Sequence, residues 1–330
     1  ITLLLGYGSV GIAICSLVVS LSANTLYVWY VRKILKIKVQ YHDLPWNLTK
    51  EILSFSFWVF LADLTSILYN STDTLLIGAL PELGTSAVAI YSVGVIITSM
   101  TVKFSAALGN MLMPRVTKMC FEGASNEYLT DYGIKVGRLQ LLIVALIISG
   151  FISFGRPFIE FYAGSDYSMA YYVCILTVIP IAIPLLQSVF LNVIMARSQH
   201  RFRSITYLCI AVLNVIATYI ILPYKGIVGA SLITGLSSLI GHGVIMNIYY
   251  WKKVGMNILR FWRSLLGVLF VPTLLCISMI VLNKYITYSL ITLAMWILLY
   301  TCLYVVFQFI LAMDNNERIL VLSLIKKIGR

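Results

Sequence analysis

The sequence predicts an all-α fold, a polytopic membrane helix bundle of about nine transmembrane helices. Three observations support this fold class, two of composition and one of sequence pattern. Of the 330 residues, 60% are hydrophobic and only 11% are charged, whereas a soluble protein carries roughly 25% charged residues. The mean hydropathy is +0.95. Third, the apolar residues form nine segments that are each long enough to cross a bilayer, which takes about 20 residues.

The nine predicted spans follow one another closely, and their connections are too short to hold a soluble domain. They cover residues 3–31, 54–80, 87–113, 136–155, 169–195, 205–222, 226–250, 264–283 and 286–312. Pro180 and Pro184 lie four residues apart in the fifth span. Because each proline removes a backbone hydrogen bond, we expect a kink in that helix.

Basic residues predict how the spans are oriented in the membrane. Of the 24 Lys and Arg residues, 20 fall in loops on one side of the predicted bundle. Arg156, Lys225 and Lys284 fall on the other side, and Lys103 lies within a span. Since Lys and Arg are enriched in cytoplasmic loops, we expect residue 1 outside and a cytoplasmic C-terminus. The net charge of +12 then serves topology and contact with anionic lipids in the bilayer. It requires no nucleic-acid partner.

The sequence contains no pattern typical of catalysis or of metal binding. The six cysteines are scattered, without a Cys-x-x-Cys pair or a Cys/His spacing, which argues against a metal site and a disulfide framework. There is also no His-Glu-x-x-His motif. We therefore expect no cofactor, no metal and no catalytic residue, and a protein that is not an enzyme.

A repeat about 220 residues apart predicts the domain organisation. Residues 6–11 and 224–229 each open a span rich in Ser, Ala and Gly, and residues 29–33 and 249–253 end these spans with aromatic and basic side chains. Both copies run in the same direction, as in two lobes related by an axis along the membrane normal. Residues 1–33 would be the last helix of an N-terminal lobe. After a cytoplasmic linker at 34–53, residues 54–253 would form a complete six-helix lobe.

Polar residues gather on one face of several predicted spans. In the second span, six fall within an arc of about 100°: Ser56, Asp63, Ser66, Asn70, Asp73 and Thr74. In the third span, four fall within an arc of about 40°: Ser92, Ser99, Lys103 and Asn110. One side of the fifth span carries Thr177, Ser188, Asn192 and Gln199.

These polar faces predict a central cavity for a polar substrate, because ionisable groups inside a bilayer usually face a bundle interior or water. Two alternatives remain open. The polar side chains could form hydrogen bonds between helices of a closed bundle, and Lys103 could pair with Asp63 or Asp73. Arg138 and Arg156 lie at the two ends of the fourth span, where we expect their charged groups to reach the membrane interfaces.

Four stretches of the sequence carry a family resemblance. They are residues 55–58 leading to 68–78, residues 89–94 leading to 112–115, the Gly-x-x-Gly at 226–229, and the Tyr-Tyr-Trp-Lys-Lys at 249–253. In order and spacing they resemble the oligosaccharide (O-antigen, capsule or exopolysaccharide) flippases of the multidrug/oligosaccharidyl-lipid/polysaccharide exporter superfamily.

The resemblance implies two six-helix lobes around a central cavity, with two further helices. Residues 254–330 would then hold the two additional helices and a cytoplasmic tail. Five spans of the first lobe would precede Ile1 in a longer chain. It also implies transport of an oligosaccharide on polyprenyl pyrophosphate across the plasma (inner) membrane, from the cytoplasmic to the outer face. Coupling to H⁺ or Na⁺ occurs in relatives.

For such a substrate we expect a positive charge near the pyrophosphate and hydrogen-bonding side chains near the sugars. Lys103 is the predicted head-group contact, with Arg115 and Arg197 near the cytoplasmic mouth of the cavity. The sugar hydroxyls would contact Asn70, Asn110 and Asn192.

Two alternative functions remain open at this point. In a multidrug cation antiporter of the same superfamily, Asp63 and Asp73 would bind a proton or Na⁺, although Lys103 is a poor neighbour for a cationic drug. A membrane polysaccharide polymerase or glycosyltransferase would need functional residues on substantial external loops, and the predicted external loops are short.

Overall fold

The computed structural model describes residues 8–35, 45–80, 83–199, 201–315 and 317–319. Within these ranges, the side chains of residues 8, 9, 12, 62, 63, 66–70, 108 and 110 are not described. The described part of the chain is helical and contains no strand. Its α-helices are α1 (Gly8–Lys33), α2 (Trp46–Ala79), α3 (Gly84–Phe121), α4 (Asn126–Ala163), α5 (Ala170–Leu186), α6 (Ser188–Ala196), α7 (Arg201–Ser238), α8 (Met246–Tyr249), α9 (Ile258–Leu282) and α10 (Leu290–Phe307).

Three π-helical segments and one 3₁₀ turn complete the described secondary structure. The π-helical segments are Leu239–Ile245, Tyr250–Val254 and Gln308–Ala312, and the 3₁₀ turn is Ser165–Tyr167. The first two π-helical segments flank α8, so that the helical path continues from α7 to Val254.

The prediction of an all-α polytopic membrane bundle is confirmed. In the described ranges, six helical stretches are long and apolar enough to cross a membrane, or seven if the bent pair α5–α6 is one span. The predicted number of nine differs in two places. α2 covers the second predicted span but is not among the six, and one stretch, Arg201–Val254, contains two predicted spans.

A backbone break at Gly226 divides this long stretch. A straight helix of 54 residues would measure about 80 Å, far more than the hydrocarbon core of about 30 Å. At Gly226 the backbone has φ 56° and ψ −150°, a conformation that only glycine adopts readily. Pro223 lies three residues earlier and lacks an N–H group. The break falls at the first residue of the predicted span 226–250.

The predicted kink in the fifth span is confirmed. α5 and α6 are bent by 51° relative to each other, and the break falls at Gln187, three residues after Pro184. The Gln187 amide is buried and donates a hydrogen bond to Asn247 Oδ1 at 2.6 Å. The bend is therefore tied to the segment that follows α7.

Contacts divide the chain into two compact units, Ile1–Ser54 and Phe55–Arg330. The first unit contains α1. In the second unit α3 packs against α5, α5 packs against α7, and α4 packs against α9. The largest buried apolar cluster of this unit includes Leu129, Phe190 and Phe261. α9 and α10, the two helices of the predicted range 254–330, both pack on α4.

Glycines allow α5 to approach its neighbours closely. A Cβ atom at Gly94 would lie 2.7 Å from Val173 Cβ, and a Cβ atom at Gly235 would lie 2.3 Å from the carbonyl oxygen of Leu176. Real Cβ atoms do not approach other atoms so closely. Small residues at helix contacts thus bring α3 and α7 against α5, as is common in membrane bundles.

We expect Gly235→Ala to destabilise the bundle, because the new methyl group would push α7 away from the backbone of α5. Overpacking of this kind costs about 1–3 kcal/mol, which should lower the thermal unfolding midpoint of the detergent-solubilised protein by several degrees. Gly150→Ala is the matched control, since a Cβ there meets no atom within 4 Å. Equal midpoints for the two variants would contradict this packing argument.

The Arg138 side chain, which was expected to reach a membrane interface, is buried within the protein. The guanidinium is buried and donates to Glu317 at 2.7 Å and 3.0 Å. It also donates to the carbonyl oxygens of Ser264 and Ala312 at 2.8 Å and 2.9 Å. Asp314 lies 3.3 Å away as a second carboxylate. A single side chain of α4 therefore ties down α9 and the segment that follows α10.

We expect Arg138→Leu to cost about 3–5 kcal/mol in unfolding free energy, because it leaves the buried Glu317 carboxylate without its cation. The double variant Arg138→Leu/Glu317→Leu removes both charges and should recover most of this loss. Thermal unfolding midpoints measure both effects, with Arg263→Leu as an exposed control. A double variant no more stable than the single variant would show that the pair is not the cause.

Candidate functional site

A polar cavity of about 410 Å³ lies between α2, α3, α5 and the second half of α7. Three of its lining residues are apolar, namely Val95, Val102 and Ile181. The others carry hydroxyl or charged groups: Asp73, Tyr91, Thr98, Ser99, Lys103, Thr177, Thr234 and Ser238. A cavity that is lined by this many hydroxyl and charged groups inside such an apolar bundle is a candidate binding site.

Helical periodicity explains why these side chains meet. The lining residues of α3 recur at intervals of three and four from Tyr91 to Lys103, which places them on one face of the helix. Thr234 and Ser238 of α7 are four residues apart, and so they share a face as well. The close packing at Gly94 and Gly235 brings both of these helices against α5.

Asp73 lies at the centre of a hydrogen-bonded chain. Its side chain is 1% exposed, and its Oδ2 accepts hydrogen bonds from Tyr91 and, at 2.6 Å, from Thr234. Asn214 donates to Thr234 at 3.1 Å, and Thr218 donates to Asn214 at 3.3 Å. This chain links α2 and α3 to both halves of α7.

Two buried atoms of the cavity have no hydrogen-bond partner among the described residues, Asp73 Oδ1 and Ser238 Oγ. Buried polar groups are normally paired. The arrangement therefore has capacity for a hydrogen-bond donor or a cation at Asp73 and for a polar group at Ser238.

Lys103 lines the same cavity and is exposed. It forms no ion pair with Asp73 or with any other described residue. The Thr98 and Thr177 hydroxyls, which join α3 to α5 across the cavity wall, form a hydrogen bond of 2.8 Å. An unpaired ammonium group beside several hydroxyls can bind an anion and the polar groups attached to it.

Of the residues predicted from sequence, the structure brings Asp73, Ser99 and Lys103 to this cavity. Three further residues that were predicted to line a cavity are Asp63, Asn70 and Asn110. They lie in α2 and α3, but their side chains are outside the described part of the structure.

The remaining three predicted residues do not line the cavity. The Asn192 amide donates to the Gly109 carbonyl at 3.3 Å and so joins α6 to α3. Arg115 lies over the Tyr132 ring, with 5.1 Å between guanidinium carbon and ring centroid, and Arg197 donates to Asn126 at 2.9 Å. Both arginines contact the first two turns of α4.

Sequence reasoning missed the contribution of α7. Asn214 and Thr218 are four residues apart in the sixth predicted span, and Thr234 and Ser238 are four apart in the seventh. The same search for polar faces would have found both pairs. It would not have shown that Thr234 forms a hydrogen bond with Asp73, because tertiary packing determines which helices are neighbours.

Comparison with known proteins gives one match. Residues 1–172 match a family described as polysaccharide biosynthesis protein, which is more than half of the 330 residues. No curated protein and no solved structure matches the chain. The matched range includes Asp73, Ser99 and Lys103. The chain is a multi-pass membrane protein that belongs to the polysaccharide biosynthesis protein family, and the family supports a role in that process.

Proposed function

We propose that this protein flips a polyprenyl-pyrophosphate-linked oligosaccharide from the cytoplasmic to the outer face of the plasma membrane during surface polysaccharide synthesis. In this proposal it is a transporter and catalyses no reaction. The observation that carries the proposal is the cavity that holds an unpaired Lys103 among hydroxyl groups. Family membership supports it, because polysaccharide synthesis needs a route for lipid-linked sugars across the membrane.

The chemistry of the cavity suits the head of such a substrate. Pyrophosphate is anionic and would bind the ammonium group of Lys103. Sugar hydroxyls both donate and accept hydrogen bonds, and so do the hydroxyls of Ser99 and Ser238. At about 410 Å³ the cavity is near the lower end of the range for small-molecule sites, roughly 300–1,000 Å³. It can hold a pyrophosphate or a single sugar, and a longer glycan must extend beyond it.

Two breaks in the helices are suited to alternating access. α7 bends at Gly226, and α5 meets α6 at an angle of 51° beside Gln187. Both helices line the cavity, through Thr177 of α5 and Thr234 of α7. In our proposal they move at these positions to open the cavity to either face, with the C-terminus in the cytoplasm.

We further propose that Asp73 binds the coupling cation, a proton or Na⁺. Its free Oδ1 is buried and faces no described donor, and an uncompensated buried carboxylate is costly. A cation bound there would compensate the charge while Oδ2 keeps the hydrogen bonds from Tyr91 and Thr234.

In cells whose surface glycan depends on this protein, Lys103→Ala should abolish surface glycan. Losing a charged hydrogen bond costs about 1.5–3 kcal/mol, or roughly tenfold or more in binding. Immunoblots of surface glycan and of the protein give the two readouts. Lys118→Ala is the matched control, because Lys118 is exposed on the same helix and pairs with Glu122 at 3.6 Å. Normal glycan at normal protein level in Lys103→Ala would remove Lys103 from the mechanism.

Asp73→Asn should abolish the rise in unfolding midpoint that the coupling cation causes in the purified protein. The wild-type unfolding midpoint should rise when NaCl replaces choline chloride at equal ionic strength if the ion is Na⁺, because a ligand stabilises the state that binds it. If the ion is a proton, the midpoint should instead rise as the pH falls. An Asp73→Asn protein that keeps the wild-type response would place the ion elsewhere.

A multidrug cation antiporter is the second candidate function, and the buried Asp73 carboxylate is the observation that favours it. A drug-resistance assay in a host that lacks its own drug-efflux pumps distinguishes the antiporter from the flippase. Resistance conferred by the protein, with surface glycan unaffected by its loss, would favour the antiporter.

A further inference from the structure

A second polar cavity, of about 500 Å³, lies where the C-terminal half of α4, the start of α5 and the connection from α9 to α10 meet. It shares no lining residue with the cavity around Lys103. Its ionisable lining residues are Arg156, Glu160 and Lys284, together with the phenols of Tyr171 and Tyr288. It lies on the side of the bundle that the charge distribution predicts to be outside.

The basic residues of this cavity are exceptions to the charge pattern of the chain. Only three Lys or Arg residues fall on the predicted outer side, and two of them, Arg156 and Lys284, line this one cavity. Neither forms an ion pair with a described residue. Glu160 is the single acidic residue of the lining, so the cavity has a net positive charge.

On one wall of the cavity, the side chain of Arg156 is held in place. The Arg156 guanidinium donates to Tyr172 at 2.6 Å and lies over the rings of Tyr171 and Tyr172, at 5.1 Å and 5.4 Å from the centroids. A guanidinium has five N–H groups, so others remain for a ligand. Fixing a side chain before binding lowers the entropic cost of binding.

The opposite wall is fixed by hydrogen bonds around Asn283, the neighbour of Lys284. The Asn283 amide donates to the Ser153 carbonyl at 2.7 Å, and its oxygen accepts a hydrogen bond from Tyr288. These contacts anchor the connection between α9 and α10 to α4. Lys284, which lines the cavity, thus starts from an anchored connection.

We propose that this cavity binds the phosphate group of an anionic lipid headgroup. Guanidinium and ammonium groups are the usual phosphate ligands in proteins. The remaining lining includes Pro157, Ile280 and Ile286, which offer apolar contact to the glycerol and the first methylenes of a lipid. A free phosphate would make no use of that apolar part. The proposal is independent of the transported substrate and of Lys103.

Binding of phosphatidylglycerol to the purified protein, followed by native mass spectrometry, tests this site. We expect Arg156→Gln/Lys284→Gln to weaken phosphatidylglycerol binding by about tenfold or more, since two charged contacts are lost. Lys225→Gln, which removes the third basic residue of the same side, is the matched control and should bind as the wild type does. In the wild type, zwitterionic phosphatidylethanolamine should bind more weakly than phosphatidylglycerol. In the double variant, this difference between the two lipids should disappear.

Glu160→Gln gives a readout that cannot come from misfolding. It removes the negative charge that repels a phosphate, so phosphatidylglycerol binding should become tighter. Unchanged binding in both this variant and the double variant would overturn the proposal. Glycerol phosphate is the probe for a free anion. If it binds as tightly as phosphatidylglycerol, with the same dependence on Arg156 and Lys284, the lipid part of the proposal is wrong.

Discussion

Hydrocarbon offers no hydrogen bonds, so every polar group that this chain carries into a bilayer needs a partner within the protein. The backbone meets that requirement by being helical in the described stretches that are long and apolar enough to cross a membrane. The backbone departs from an α-helix at Gly226, where φ is 56°, and at Gln187, whose side chain donates a hydrogen bond to Asn247. Polar side chains are subject to the same constraint, and their hydrogen bonds join particular helices to one another.

The chain of hydrogen bonds around Asp73 shows how this constraint also builds a site. Thr218, Asn214, Thr234 and Tyr91 satisfy one carboxylate oxygen directly or through one another. The other oxygen has no described partner. These hydrogen bonds cross from one half of α7 to the other, so the same few contacts connect Asp73 to both sides of the break at Gly226.

Much of this fold could be predicted from the sequence, because the length and hydropathy of a membrane helix are set by the bilayer. The ends of the helices were harder to predict than their existence. α3 continues through Pro114 to Phe121 rather than ending at 113, and it stops just before Gly123, which has a positive φ. The shared face of Ser99 and Lys103 follows from helical spacing, but the approach of Thr234 to Asp73 does not. That contact spans 161 residues and depends on close packing at Gly94 and Gly235.

Arg138 and Glu317 are 179 residues apart, and their pairing has a practical meaning for how the protein is divided. The last predicted span ends at 312, yet the carboxylate that neutralises a buried arginine of α4 lies beyond it. Glu317 is therefore part of the folded core although it follows the last predicted span. Shortening the protein to its hydrophobic segments would remove an internal counter-ion, and a reporter fused directly after α10 would compete for the same space.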